Sequence, residues 1–375
     1  MIKVLNVISD TNVGGAGRAV LNYLKYMDKN EFSAAVVVPV GSFLTERVRA
    51  LGVTVFEIDA MADKSLDSAA SKKLRQVIHE YNPDIVHTHG SLSGRVAAKK
   101  CGKKVVFTRH SAFPFPAYVR KTPLKLLYQY LYEHYSDRII TISPAGAKIM
   151  TDCGISEKKI DVMMNGVEPV LRCSDEKCAV LRREYDIKDG EFVFGVLARI
   201  EEYKGHLDVL DALKALRGEG RKAKLIIAGT GSFESAVKAH AAALDLAENV
   251  VFTGFVEDVA AVLSLMDVQV NASYVSETSS LSLLEGFSMG LPAVASNCCG
   301  NPWLVDDGVS GLLFQPQNGV DLAEKLKQLM DTPTLLKALG KGAENAYREK
   351  FTGTVYAENL EKVYRRALLC GKERD

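Results

Sequence analysis

"SDTNVGGAGRAVLNYL", residues 9–24, joins an apolar run, Val4 to Ile8, to an amphipathic stretch that begins near Ala19. A strand, a glycine turn and a helix in that order open an α/β fold. The dinucleotide fingerprint asks for glycine at the first, third and sixth positions of one short loop. Counting from Gly15, the third position is Gly17 but the sixth is Val20, and no other frame does better. The loop is therefore not a dinucleotide cradle. It reads either as a bare tight turn or as backbone N–H groups of Gly14 and Gly15 offered to an anion or a sugar hydroxyl at a helix N-terminus.

Outward from that loop, short β-branched runs recur at 4–8, 34–38, 53–58, 84–88, 105–108 and 139–142, with helical periodicity between most of them. This is the pattern of a parallel sheet covered on both faces. It pauses at "NGVEPVLRCSDEKC", residues 165–178, and restarts at 192–197, 224–228, 250–253, 268–271 and 293–296. A chain of 375 residues also exceeds one ordinary core. The expected fold class is α/β, with two doubly wound, Rossmann-like domains, 1–165 and 166–352, facing each other across a cleft. A last helical pattern, Val355 to Leu369 within 353–375, can pack on either domain, a return to the first included.

Hydrophobic content of 47% and charged content of 25% are those of a soluble globular protein. A net charge of +1 argues against a chain whose whole surface binds nucleic acid and leaves room only for local patches; no nucleic-acid partner is expected. The first apolar run is short and broken by Asn6, Ser9 and Asp10, which is not a signal peptide, and no run approaches a membrane span. Seven cysteines, odd in number and without C-x-x-C spacing, read as free thiols in a reducing cytoplasm rather than a metal site.

The second half carries the densest chemistry. "VNASYVSETSSLSLLEGFSMGLP", residues 270–292, reads as a strand end, a polar loop and a helix stopped by Gly290 and Pro292. Glu277 lies in the loop. Glu285 lies inside the helix among Leu281, Leu283, Leu284 and Phe287, where a carboxylate needs donors such as vicinal hydroxyls or a basic neighbour. "GVLARIEEYKGHLDVL", residues 195–210, places Arg199 and Lys204 in one loop after a strand, which suits a diphosphate, though such a pair can also be a solvated face. Glycine turns at Gly229 and in the 252–257 loop leave the same sheet edge. In the first half, His87, His89 and His110 sit at strand ends. An H-x-H pair on a strand shares a face by alternation alone, and no third ligand is near in sequence.

Taken together, these residues resemble the family 4 glycosyltransferases of the GT-B fold. Glu277 and Glu285 match its E-x7-E motif, Arg199 and Lys204 its R-x4-K pair, Asn165-Gly166-Val167 its interdomain N-G-V, and Gly14-Gly15 its N-terminal glycine loop, in collinear order. The resemblance implies that Arg199 and Lys204 hold the diphosphate of a nucleotide sugar and that Glu285 meets the ribose. It also places Glu277 and His110 at the donor sugar, Gly229 and Val256 in the donor site with Val256 at the base, and Thr278, Ser279, Ser280 and Leu281 with their amides toward phosphate and sugar. The family often has glycines after the first glutamate, where this chain has Thr278-Ser279-Ser280, so the sugar's identity stays open.

The implied reaction moves a sugar, with retention, from a nucleoside-diphosphate sugar, expected to be a UDP-sugar, to a hydroxyl of a glycan or lipid-linked acceptor in cell-surface polysaccharide or glycolipid synthesis. No cofactor and no metal are expected. Two other classes share this pattern: a nucleotide-sugar epimerase of the same fold, and a non-catalytic sugar-nucleotide binding module. "FPFPAYVRKTPLKLLYQYLYEHY", residues 113–135, adds Arg120, Lys121 and Lys125 to an apolar stripe of Leu124, Leu127, Tyr128 and Leu131. It suits either packing on the sheet or weak contact with an anionic membrane surface by a cytoplasmic, peripheral enzyme.

Overall fold

The computed structural model describes residues 1–11, 13–59, 61 and 66–370, without the side chain of Arg120. Arg120 in the basic segment and residues 371–375 of the terminal segment thus lie outside the described parts. The chain divides into two units, the first Met1–Val167 with Thr352–Asp375, the second Glu168–Phe351.

The first unit holds strands β1 Ile2–Ile8, β2 Phe32–Pro39, β3 Thr54–Ile58, β4 Ile85–His89, β5 Lys104–Arg109, β6 Arg138–Thr141 and β7 Ile160–Val162. The second holds β8 Phe192–Leu197, β9 Ala223–Ala228, β10 Val250–Gly254, β11 Val268–Asn271, β12 Ala293–Ser296 and β13 Gly311–Phe314. Their orders are β3-β2-β1-β4-β5-β6-β7 and β10-β9-β8-β11-β12-β13, and every paired register is parallel. Each sheet reverses direction once, between β1 and β4 and between β8 and β11. At such a reversal the neighbouring crossovers run to opposite faces and leave a crevice at the strand C-termini.

Both faces of each sheet are covered, as their strands demand. In β1 the side chains of Val4 and Ile8 enter one apolar cluster with Val20, Leu24 and Val106, while Leu5 and Val7 enter another with Leu74, Ile78 and Val86. In the second unit Phe194, Val196, Leu225 and Ile227 face the helix His206–Gly218, and Val193 and Ile226 face Leu263, Leu265 and Met266. Two short strands, β7 and β13, were not among the expected runs. Both are edge strands of three and four residues, too short to show periodicity.

The terminal pattern forms the helix Gly353–Leu369 and belongs to the first unit. Tyr356, Leu360, Val363 and Tyr364, at helical spacing, pack with Tyr23, Leu24 and Phe32. Tyr364 and Tyr23 meet edge to face at 5.6 Å. Thr352 caps the helix by accepting from Val355 N–H, and Val167 bridges to Thr352, so the chain leaves and re-enters this unit at one place.

Candidate active site

In the second unit the crevice between β8 and β11 gathers the charged residues. Past β8 the chain makes a tight turn, Glu202–Lys204, and then Gly205 takes a φ of 70°. A Cβ there would lie 2.3 Å from the Ala272 carbonyl oxygen, so only glycine lets the loop after β8 press on the loop after β11. That approach carries Lys204 to Glu277, with Nζ donating to Oε2 at 2.8 Å. The same oxygen accepts from Asn271 Nδ2 at 3.0 Å and Ser273 Oγ at 3.1 Å, and Oε1 accepts from the Thr278 N–H at 3.2 Å. Burial alone would raise the Glu277 carboxyl. The Lys204 charge and the donors from Lys204, Asn271 and Ser273 outweigh it and hold it below the usual carboxylate range. Glu277 is thus an ionised, positioned carboxylate paired with a cation.

Lys204 and Arg199 do not form a matched pair of free cations. Lys204 is held by Glu277, whereas Arg199 is exposed and donates from Nη2 to the Tyr203 hydroxyl at 3.0 Å. Next to them begins the helix Leu281–Ser288. Its cap, Ser280, accepts from Leu283 N–H, and Ser282 Oγ donates to the Leu197 carbonyl at 2.9 Å, which fixes the helix N-terminus at the end of β8. Thr278, Ser279 and Ser280 are buried at that positive dipole end, and Glu285 is buried with Leu283, Leu284 and Phe287.

Two residues expected in the donor site also make contacts within the unit. The N–H of Gly229 donates to the Gly254 carbonyl at 2.8 Å, and a Cβ at 229 would lie 2.0 Å from the Ala198 oxygen. Gly229 is therefore a close-approach glycine that seats the loop carrying Arg199, and its N–H is already engaged. Val256 packs against the cluster of Val262, Leu263 and Leu265, while its neighbours Phe255 and Glu257 are exposed. The Asn271 and Ser273 ligands of Glu277 were not anticipated. Their signal was available: an Asn at the last position of a buried strand, followed two residues on by a Ser.

In the first unit the ends of β4 and β5 carry histidines, and Asp10 follows β1 in the loop that leads to Gly14. His110, just beyond β5, meets His89 at the end of β4, with Nε2 and Nδ1 2.9 Å apart and the rings stacked at 5.2 Å. Burial pushes His110 down to about 4, and burial with the neighbouring histidines holds His89 well below its usual value. His87 is a satisfied core residue: Nδ1 meets the Tyr364 hydroxyl at 2.8 Å and Nε2 meets Thr108 Oγ1 at 2.7 Å. Gly14 caps the helix Gly15–Tyr26, and a Cβ at Gly15 would meet nothing within 4 Å. At Gly17, by contrast, a Cβ would lie 3.0 Å from Leu44 Cδ2. Among the described residues no group of three or more His, Cys, Asp and Glu could hold a metal ion.

Two units, each a parallel sheet whose strand order reverses once, form the two Rossmann-like halves of a GT-B fold. Residues 13–171 match the family described as Glycosyltransferase Family 4, and residues 179–346 match Glycosyl transferases group 1. The chain belongs to the group 1 glycosyltransferases and is an enzyme of that class. It is 29% identical over 311 residues to EpsD of Bacillus subtilis, designated a glycosyltransferase, covering 79% of this chain and 80% of that one. It is 25% identical over 382 residues to the UDP-Gal:α-D-GlcNAc-diphosphoundecaprenol α-1,3-galactosyltransferase of Escherichia coli, covering 97% and 96%. The crystal structure of Anabaena HepE in complex with UDP superposes with a TM-score of 0.83 at 19% identity, covering 97% of this chain and 100% of that one.

Proposed function

We propose that the protein is a retaining glycosyltransferase that moves a sugar from a UDP-sugar to a hydroxyl of a glycan or lipid-linked acceptor, in cell-surface polysaccharide or glycolipid synthesis. The observation that carries this reading is the ionised Glu277 held by Lys204 beside the N-terminus of the Leu281–Ser288 helix, with Arg199 exposed in the same loop. The relative that uses UDP-Gal with a diphosphoundecaprenol-linked acceptor, and the similar fold solved with UDP, support it.

On this reading Arg199, Lys204 and the oriented helix amides receive the charge that develops on the leaving diphosphate. These groups supply positive charge themselves, so the reaction is proposed to need no metal. Glu277, already ionised, accepts hydrogen bonds from hydroxyls of the donor sugar, and Glu285 those of the ribose. His110, neutral at physiological pH, approaches the reacting centre. Retention follows a front-face course in which the leaving phosphate oxygen takes the acceptor's proton. Incubation with a panel of nucleotide sugars, with and without acceptor extracts, tests the reading. UDP release that rises with acceptor, and an α-configured product by NMR from an α-configured donor, are expected. Release from a non-uridine donor alone, or an inverted product, overturns it.

The acceptor side adds a membrane contact to the proposal. In the helix Leu124–His134 no residue is fully buried; Tyr128 packs on Phe115, but Leu124, Leu126, Leu127 and Tyr130 are exposed beside Lys121. The stripe expected from the sequence is therefore divided between the core and the surface. An apolar helix face flanked by cations suits the interface of an anionic bilayer. Among the described residues no helix is long and apolar enough to cross a membrane. Flotation with anionic vesicles at low salt is expected to carry the wild type up and to leave Lys121→Glu with Lys125→Glu behind. Equal flotation of both removes this segment as the contact.

A further inference from the structure

The turn after β12 carries two adjacent cysteines, Cys298 and Cys299, whose sulfur atoms lie 2.7 Å apart. That is closer than unbonded sulfur atoms ordinarily rest and short of the disulfide bond length of about 2.05 Å. Cys299 has a φ of 59°, a conformation that side chains rarely adopt; the other such residues among those described, glycines aside, are Asn82, Asp186, Asp245 and Gln317, all of them polar. A cysteine in that backbone is an outlier for which packing offers no reason, since both thiols are only half-buried.

The turn is braced to the Glu277 segment. Cys298 Sγ donates to the Tyr274 carbonyl at 3.3 Å, and Gly300 N–H donates to the Glu277 carbonyl at 3.0 Å. Ser296 Oγ donates to the Ser273 carbonyl, and Asn301 Nδ2 donates to Ser296 Oγ at 3.0 Å. A Cβ at Gly300 would lie 1.8 Å from the Thr278 carbonyl oxygen, so the turn lies flush on the segment that leads into the Leu281–Ser288 helix. A change in the turn cannot be absorbed without moving residues 277–280.

We propose that Cys298 and Cys299 are a reversible thiol switch, in which a hydroperoxide closes them to a disulfide between neighbouring residues and thereby weakens the nucleotide site. The Cys299 thiolate attacks the peroxide oxygen, breaking the O–O bond; hydrogen peroxide leaves one water and a sulfenic acid on Cys299. The Cys298 sulfur then attacks the Cys299 sulfur, its proton leaves with the hydroxyl as the second water, and the S–S bond forms. Two thiols are oxidised and one peroxide is reduced. Cys298 Sγ is engaged with the Tyr274 carbonyl, and burial and the neighbouring sulfur raise its thiol, so the first attack is assigned to Cys299. Closure takes Cys298 from the Tyr274 carbonyl and draws on the turn that seats Gly300 against Thr278. Disulfides that do form in reducing compartments are commonly of this transient, sensing kind.

The effect on nucleotide rests on the proposed donor site, and the test separates the two. The full-length protein is treated with hydrogen peroxide, then with dithiothreitol. Peptide mapping is expected to show the peptide containing 298–299 lighter by two hydrogen atoms, and restored by the reductant. Calorimetry with UDP is expected to show affinity falling about tenfold on oxidation and recovering on reduction. Cys299→Gly, which suits the backbone, and Cys298→Ser, which keeps a donor for Tyr274, are expected to bind UDP normally and to lose the response to peroxide. If the peptide acquires sulfinic acid or no change, there is no switch. If it closes and UDP affinity stays the same, or if either variant keeps the full peroxide response, the coupling is overturned. If the reduced wild type binds no UDP while the thiols still close, the donor assignment fails and the closure stands.

Discussion

The crevices at the reversal points of the two sheets are built to one plan and filled with opposite chemistry. At β8 and β11 a lysine meets a glutamate whose carboxyl is held below its usual range, in a nest of amide and hydroxyl donors. At the ends of β1, β4 and β5 the buried polar side chains are an asparagine, Asn6, and two histidines whose burial disfavours their protonation, with the carboxylate of Asp10 only in the loop beyond β1. A parallel sheet supplies the crevice in both cases, and the side chains at the strand ends decide its charge. The charged crevice suits an anion such as a diphosphate; the histidine-lined one suits uncharged hydroxyls.

Acid should separate the two crevices most. An unfolded histidine takes its proton near pH 6.5, whereas His87 and His110 in the folded chain hold it off to about 3 and about 4 through burial. Between those values and 6.5 the unfolded state binds more protons, so the stabilisation is complete above pH 6.5 and is lost as pH falls toward 4. For each of the buried rings His87 and His89 the loss at pH 5 is at most about 2 kcal/mol. The second unit has one such ring, His206, pushed down to about 4 by burial and by Lys204, and Glu277 loses its contribution only below the usual carboxylate range. Hydrogen exchange at pH 7.5 and pH 5 should therefore show β4 and β5 losing more protection than β8 and β11. Equal losses would break the contrast.

Lys204→Ala acts on the charged crevice alone. It leaves Glu277 buried without its cation, which should cost the second unit about 3–5 kcal/mol. The only tryptophan of the chain, Trp303, lies in that unit and reports its unfolding in urea by fluorescence. Lys204→Met with Glu277→Gln should recover most of the stability and none of the UDP affinity; recovery of both would make the pair structural only. Arg199→Ala should leave stability within about 0.5 kcal/mol, because the side chain is exposed, and lower UDP affinity by about 1.5–3 kcal/mol, tenfold to a hundredfold. Unchanged calorimetric affinity would remove Arg199 from the diphosphate. The smallest effect is expected for His110→Ala, with kcat down about tenfold and UDP affinity kept. A fall in affinity instead would place His110 at the nucleotide, and unchanged turnover would place it outside the reaction.

Much of this architecture was legible in the residues. Eleven of the strands fall on runs of β-branched and apolar residues, because a strand buried on both faces has to be apolar throughout. Glu277, Arg199 and Lys204 stood out as charges at strand ends. The partnerships were less visible. Nothing in the spacing of Lys204 and Glu277 says that they touch; they do so because Gly205 lets two loops meet that are far apart in the chain. At Gly229 a glycine after a strand looks the same in sequence whether a ligand or a carbonyl fills the space beside it; here the Ala198 carbonyl lies there.

The sequence alone determined the class of fold, two parallel α/β halves, and the residue types at the strand ends, since periodicity and turn chemistry are local properties. Tertiary structure decided what those residues do to one another. It set which carboxylate holds Lys204, and it made His87 a core residue and His89 the partner of His110 although both histidines share one strand face. It also placed the last helix, Gly353–Leu369, whose apolar stripe fits any open sheet face, against Tyr23 and Phe32 of the first unit. Burial and pairing depend on groups distant in the chain, and only the folded arrangement brings them within reach of a hydrogen bond.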